Sequence, residues 1–120
     1  MEEAGQGWRI FYYTTARGDS PPRDYVKALP PTERAKVNRC LDLLREFGPA
    51  FTGSQVKHLT GTDLWELRPD AHRLIYVTVT GRRFVILHAF RKTSTRMRKK
   101  DMNIALTRRD ELLRRMSDER

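Results

Sequence analysis

The chain has 120 residues, 38% hydrophobic and 32% charged, with 24 Lys and Arg against 15 Asp and Glu for a formal net charge of +9. This length predicts one domain over residues 1–120 with a modest core, and no apolar run approaches the roughly 18 residues that a membrane helix requires. The single cysteine, Cys40, excludes an internal disulfide and a multi-cysteine metal centre, while the acidic start MEEAGQGWRI lacks the pattern of a secretory signal, so a cytoplasmic protein is expected.

Residues 8–13, WRIFYY, are aromatic and β-branched and predict a first strand. Ser20-Pro21-Pro22 predicts an N-cap followed by proline in the first turn of a short helix through Tyr25, Val26 and Leu29. Pro30-Pro31 breaks that helix and starts another. From Thr32, the apolar residues Val37, Cys40, Leu41, Leu44 and Phe47 recur at three- and four-residue spacing until Gly48-Pro49, an amphipathic helix of about four turns. The two helices should pair as a hairpin. Residues 50–63 show no periodicity and predict a loop or irregular edge. Three strands follow at 64–68, 72–80 and 83–91, joined by short turns, the second closed by Gly81. Short connections make them antiparallel neighbours, a meander. Ile104, Ala105, Leu112, Leu113 and Met116 mark a last charged helix from 100 or 101 to about 116. The expected fold is α+β: an N-terminal strand, a two-helix hairpin, a three-strand antiparallel meander and a C-terminal helix.

Strand alternation assigns faces. Arg73, Ile75, Val77 and Val79 share one, and His72, Leu74, Tyr76 and Thr78 the other. In the next strand Phe84, Ile86, His88 and Phe90 oppose Val85, Leu87, Ala89 and Arg91. Trp65 alternates with the arginine-bearing face and is expected in the core, and Tyr12, Tyr13 and Tyr76 are expected as core or interface residues rather than base-stacking platforms.

The positive charge is uneven. Residues 1–60 carry 9 Lys and Arg against 7 Asp and Glu, residues 61–120 carry 15 against 8, and the segment RKTSTRMRKK at 91–100 holds six cations in ten residues. Such density suits phosphate or an acidic surface, although a solvated charge run has the same composition. Arg68, Arg73, Arg91 and Lys92 fall at strand ends, where a cation can face a cleft without being buried unpaired. Together they would bind a phosphodiester, arginine through its planar fork. Lys57 and His58 lie just before the meander and are expected near the same rim, with Arg96, Arg98, Lys99 and Lys100 as further RNA contacts. His72 or His88 could add a group titrating near neutrality, although a packed core histidine explains His88 equally well. Arg68 could equally pair with Glu66 or Asp70. No glycine-rich phosphate loop, paired-carboxylate spacing or nucleophile triad is present. His58, His72 and His88 lack metal-ligand spacing, so no metal or other cofactor is expected. The residues by themselves support a basic RNA-binding α+β domain.

The segments Val56-Lys57-His58-Leu59, Leu64-Trp65-Glu66-Leu67-Arg68, His72-Arg73-Leu74-Ile75-Tyr76 and Ile86-Leu87-His88-Ala89-Phe90-Arg91-Lys92, with residues 101–105 after them, form a combined pattern. In it the sequence resembles the RelE/ParE toxin superfamily, within it the HigB-like, phage-derived subgroup of type II toxin–antitoxin toxins. The resemblance implies a RelE-like fold and a metal-free endoribonuclease (mRNA interferase) that cuts mRNA on the ribosome and blocks translation. The ribose 2′-hydroxyl would attack the scissile phosphate. It also implies a cognate antitoxin, expected to carry a helix-turn-helix domain. Arg73 matches the arginine at the scissile phosphate, and Arg68 the basic position ending the preceding strand. Lys57 matches a backbone-phosphate contact, and Arg91 and Lys92 the basic pair after the last strand. His88 matches a common residue of the subgroup, and the resemblance implies an acid or base role for it. Thr93 replaces a second lysine, Arg98 a proline, and Met102 stands near the place of a tyrosine, so proton transfer is left unassigned. The alternatives are a ParE-type gyrase inhibitor and a noncatalytic RNA- or ribosome-binding module.

Overall fold

The computed structural model describes residues 7–118. The acidic start, read above as lacking a secretory signal, lies largely outside the described residues. Strands β1 (Arg9–Tyr12), β2 (Val56–His58), β3 (Leu64–Leu67), β4 (His72–Val79) and β5 (Arg83–Arg91) form one sheet in the order β1-β5-β4-β3-β2. Strands β2 to β5 are an antiparallel meander, and β1 joins its end parallel to β5. The helices are α1 (Pro21–Lys27), α2 (Pro31–Phe47) and α3 (Lys99–Asp118). None of the described helices is long and apolar enough to cross a membrane.

The meander has one strand more than expected. Val56–His58 is an edge strand inside the stretch read as a loop or irregular edge. Three residues are too few to display an alternation, so its pairing with β3 leaves no periodic trace in the sequence. Two hairpin turns adopt left-handed conformations: Asp70 has φ 58° between β3 and β4, and Gly81 and Arg82 have φ 85° and 56° between β4 and β5. Two consecutive positive φ values give a hairpin loop the twist of its flanking strands.

Helices α1 and α2 cover one face of the sheet. Val37, Cys40, Leu41 and Leu44 bury the predicted stripe of α2 against Leu67, Leu74, Tyr76, Phe84 and Ile86, with Val26 of α1 in the same cluster. Phe47 stays exposed at the end of the helix. The helix ends there, where Gly48 takes φ 58° under Trp8, whose indole nitrogen lies 2.8 Å from where a Cβ would stand. Ser20 precedes α1 as expected but does not cap it; its hydroxyl donates to the Tyr13 carbonyl at 2.8 Å and ties the end of β1 to the helix.

Helix α3 covers the other face, where Leu64, Ile75, Val77, Val85 and Leu87 pack with Ala105. Tyr13 donates to Glu111, and the Arg108 and Arg115 guanidinium groups lie 5.4 and 5.3 Å from the Tyr13 ring centroid. Tyr13 and Tyr76 are buried as expected, whereas Trp65 is 37% exposed and not a core residue.

One irregularity decides which side chains reach which face. Ile75 pairs with His88 but Tyr76 pairs with Ile86, so Leu87 is an extra residue, a β-bulge. Its carbonyl accepts a hydrogen bond from Arg108 Nη1 at 2.9 Å. Beyond the bulge the alternation of β5 is inverted. Phe84 and Ile86 face α2, but His88 and Phe90 face α3, while Ala89 and Arg91 turn to the α2 side. The uninterrupted alternation expected for residues 84–91 is therefore corrected, because a single inserted residue moves every later side chain to the opposite face.

Candidate nucleic-acid site on the α3 face

Leu64, Glu66 and Arg68 lie two apart in sequence and point to the α3 side of the sheet. The register sets Lys57 of β2 opposite Glu66, and Arg73 opens β4 beside Arg68. Lys57, Glu66, Arg68 and Arg73 line a pocket whose far wall is the connection from β5 to α3. That connection supplies Lys92, the hydroxyl run Thr93-Ser94-Thr95, Arg96, Met97 and Arg98, and α3 adds Asp101. Leu59, Phe90 and Met97 give the pocket an apolar part. Six cations, Lys57, Arg68, Arg73, Lys92, Arg96 and Arg98, thus converge from four segments around two carboxylates.

The two meander arginines are held in different ways. Arg68 Nε donates to Glu66 Oε1 at 3.0 Å, with the Glu66 side chain 5% exposed. Arg73 Nη1 donates to the carbonyls of Asp70 and His72 at 3.0 and 2.8 Å. The turn at Asp70 therefore anchors one nitrogen of the Arg73 fork. Burial leans against the Arg73 charge and pulls its pKa down, with Glu66 supporting the charge and Arg68 opposing it; a guanidinium remains charged at any physiological pH.

At the inner wall, His88 Nε2 donates to Asp101 Oδ1 at 2.9 Å and Arg98 Nε donates to Oδ2 at 3.4 Å. The imidazole stacks on Phe90 with ring centroids 5.1 Å apart. Burial pushes the His88 pKa below its ordinary value; the Asp101 bond and charge work the other way, and Arg108 and Lys100 add to the lowering. The surroundings therefore favour the neutral ring, which sits behind Asp101 rather than on the pocket wall.

Several expected site residues lie elsewhere. Arg91 pairs across the sheet with His72 and donates to Glu33 at 3.0 Å on the α2 side. His72 is fully buried there, its Nε2 donating to Glu33 and its Nδ1 accepting from Tyr25, each at 2.7 Å. His58 bonds the Thr62 carbonyl at 2.7 Å and lies against Trp65, also away from the pocket. Lys99 and Lys100 begin α3 as exposed residues outside the pocket wall. Conversely, two pocket carboxylates were not foreseen. Glu66 could have been found, since it shares its strand face with Arg68. Asp101 could not, because nothing in the sequence ties the first turn of α3 to His88. Among the described residues no three His, Cys, Asp or Glu side chains come together as a metal site.

Residues 24–110 match the model of the family described as Phage derived protein Gp49-like. No curated protein matches the chain. Among solved structures, the chain is similar to one in the crystal structure of the archaeal RelE–RelB complex from Pyrococcus horikoshii OT3. The TM-score is 0.59 at 20% identity, over 75% of this chain and 100% of that one. At that identity the likeness is one of fold, and it bears out the RelE-like α+β architecture.

Proposed function

Because the chain belongs to the Gp49-like family of phage-derived proteins and has the RelE fold, we propose that it is a type II toxin. In this reading it is an endoribonuclease that cuts mRNA on the ribosome and so stops translation. The observation that carries this reading is the convergence of Lys57, Arg68, Arg73, Lys92, Arg96 and Arg98 on one pocket.

A phosphodiester entering that pocket meets guanidinium groups from the ends of β3 and β4. Arg73, with one nitrogen anchored to backbone carbonyls, presents the rest of its fork to the non-bridging oxygens. Arg68, braced on Glu66, approaches from the neighbouring strand. As the ribose 2′-hydroxyl adds to phosphorus, negative charge grows on those oxygens, and preorganised donors aimed at growing charge are commonly the largest single catalytic contribution. Holding the hydroxyl in line with the departing 5′-oxygen supplies much of the remainder. Lys57, Lys92, Arg96 and Arg98 serve the flanking phosphates, a salt-dependent and sequence-independent contribution.

The partner follows from the same surface. The similar archaeal chain is described in a complex with RelB, which supports a cognate antitoxin here, one that covers this cationic mouth; a helix-turn-helix domain in that antitoxin belongs to the same proposal. Expression of the wild-type chain should halt protein synthesis and yield mRNA cuts, mapped by primer extension within codons. Arg73→Ala should yield none. Growth arrest with intact mRNA would overturn the reading and point to a protein target such as gyrase.

A further inference from the structure

The arginines account for phosphate binding but leave one task open: a group must take the proton from the attacking hydroxyl. Three candidates stand on this face. His88 is set behind Asp101 and is not part of the pocket wall. Asp101 lines the pocket, but His88 occupies its Oδ1 and Arg98 its Oδ2. Glu66 differs from both. It lines the pocket, its Oε1 accepts the Arg68 Nε–H at 3.0 Å, and no other described residue bonds it. It stands on the central part of the sheet, in register with Lys57 on one side and Ile75 on the other. A group on a strand, with one oxygen fixed by a neighbour, is held in direction far better than one on a loop.

We propose that Glu66 is the general base of this site, accepting through Oε2 the proton of the ribose 2′-hydroxyl; the assignment rests on the nuclease reading above. The step balances without further reactants. The 2′ O–H bond breaks and its proton passes to Oε2, while the 2′-oxygen forms a bond to phosphorus. The bond from phosphorus to the 5′-oxygen then breaks, and that oxygen leaves with a proton from water. The products are a 2′,3′-cyclic phosphate and a free 5′-hydroxyl, and the Glu66 carboxyl returns its proton to solvent. The charged groups facing Glu66 are Lys57 from β2, Arg68 at the end of β3 and Arg73 from β4. Lys92, Arg96 and Arg98 face it from the connection, and Asp101 from α3. Such a setting draws the phosphate to the pocket and brings the 2′-hydroxyl next to the carboxylate oxygen that no described residue bonds.

The test compares wild type with Glu66→Gln, which keeps the shape and the acceptor for Arg68. Ribosomes programmed with mRNA report cleavage across a range of pH. An oligoribonucleotide with a single 2′-deoxy sugar at the cut position reports binding without reaction. Loss of a positioned base costs about 10²–10⁴-fold in rate. The expected result is a loss of that size, with the acid limb of the pH–rate profile abolished. Binding of the deoxy analogue should be unchanged or tighter, since a negative charge has left a phosphate pocket. Retention of the acid limb, or weaker analogue binding that accounts for the lost cleavage, would make Glu66 a positioning residue for Arg68 and overturn the proposal. Thermal unfolding checks that the variant folds; should it not, Glu66→Asp takes its place and must keep the acid limb at reduced rate. A wild-type protein that cuts no RNA would overturn the nuclease reading and this assignment together, whereas cleavage untouched by Glu66→Gln would overturn this assignment alone.

Discussion

Arg73→Lys keeps the positive charge and removes the fork, which makes it the sharpest test of how the pocket holds phosphate. In the structure Arg73 Nη1 is committed to two backbone carbonyls, those of Asp70 and His72 at 3.0 and 2.8 Å. Its Nε–H and the second terminal nitrogen remain for the substrate. A lysine ammonium has three donors on one atom at the end of a flexible stem. It can satisfy the carbonyls or reach the phosphate, but it cannot do both from one position. The substitution should therefore lose most of what Arg73→Ala loses. Removing one preorganised donor to a developing oxyanion costs about 2.7–4 kcal/mol, roughly 10²–10³ in rate, and Arg73→Lys should fall within a factor of about ten of that loss. Single-turnover cleavage of mRNA on programmed ribosomes measures the rate. Binding of a 2′-deoxy analogue separates it from affinity, which should drop far less because the charge is kept. A lysine variant within threefold of wild type would refute the geometric argument and reduce Arg73 to a point charge.

Arg91→Ala should cleave RNA within about twofold of wild type, because Arg91 pairs with Glu33 on the opposite face, and a matching loss in both Arg91→Ala and Arg68→Ala would contradict the two-faced arrangement. Asp101→Asn weakens the acceptor that His88 and Arg98 share, and urea denaturation should show a loss of about 1–3 kcal/mol. For His88 the sign follows from its lowered pKa: the folded state binds its proton less readily than the unfolded chain does. Its contribution to stability is therefore full above the unfolded value near 6.5 and declines as pH falls through that value toward the lower folded one. Denaturation midpoints should fall across that window in wild type and fall less in His88→Gln.

Much of the architecture was legible because it follows from local rules. The stripe of Val37, Cys40, Leu41 and Leu44 repeats at helical spacing and is buried as predicted. Pro21, Pro31 and Gly48 stand at helix boundaries that only proline or glycine serves well. Strands β4 and β5, eight and nine residues long, are rich enough in β-branched and aromatic residues to declare themselves. What escaped is non-local. The three-residue strand β2 exists because β3 offers it a partner, and the parallel docking of β1 beside β5 leaves no mark in either segment. Trp65, assigned to the core by its neighbours' pattern, stays 37% exposed beside His58 of the edge strand.

The site divides along the same line, and the bulge at Leu87 is where it divides. Without that bulge, uninterrupted alternation along residues 84–91 would carry His88 and Phe90 to the α2 side with Phe84 and Ile86, and would turn Arg91 to the α3 side. With it, Phe90 lines the pocket, His88 reaches Asp101, and Arg91 is sent away to Glu33. The register of one strand thus selects which cation lines the pocket, and of the expected pair Arg91 and Lys92 it is Lys92 that stands at the pocket wall. The carbonyl of the inserted Leu87 accepts a hydrogen bond from Arg108 of α3. The residue that stabilises the irregularity therefore belongs to the helix that covers this face, and the pocket depends on α3 through two joints, Arg108 to Leu87 and Asp101 to His88. A partner that displaces α3 would release both together, freeing the bulge and unseating the inner wall of the pocket without touching either arginine of the β3–β4 hairpin.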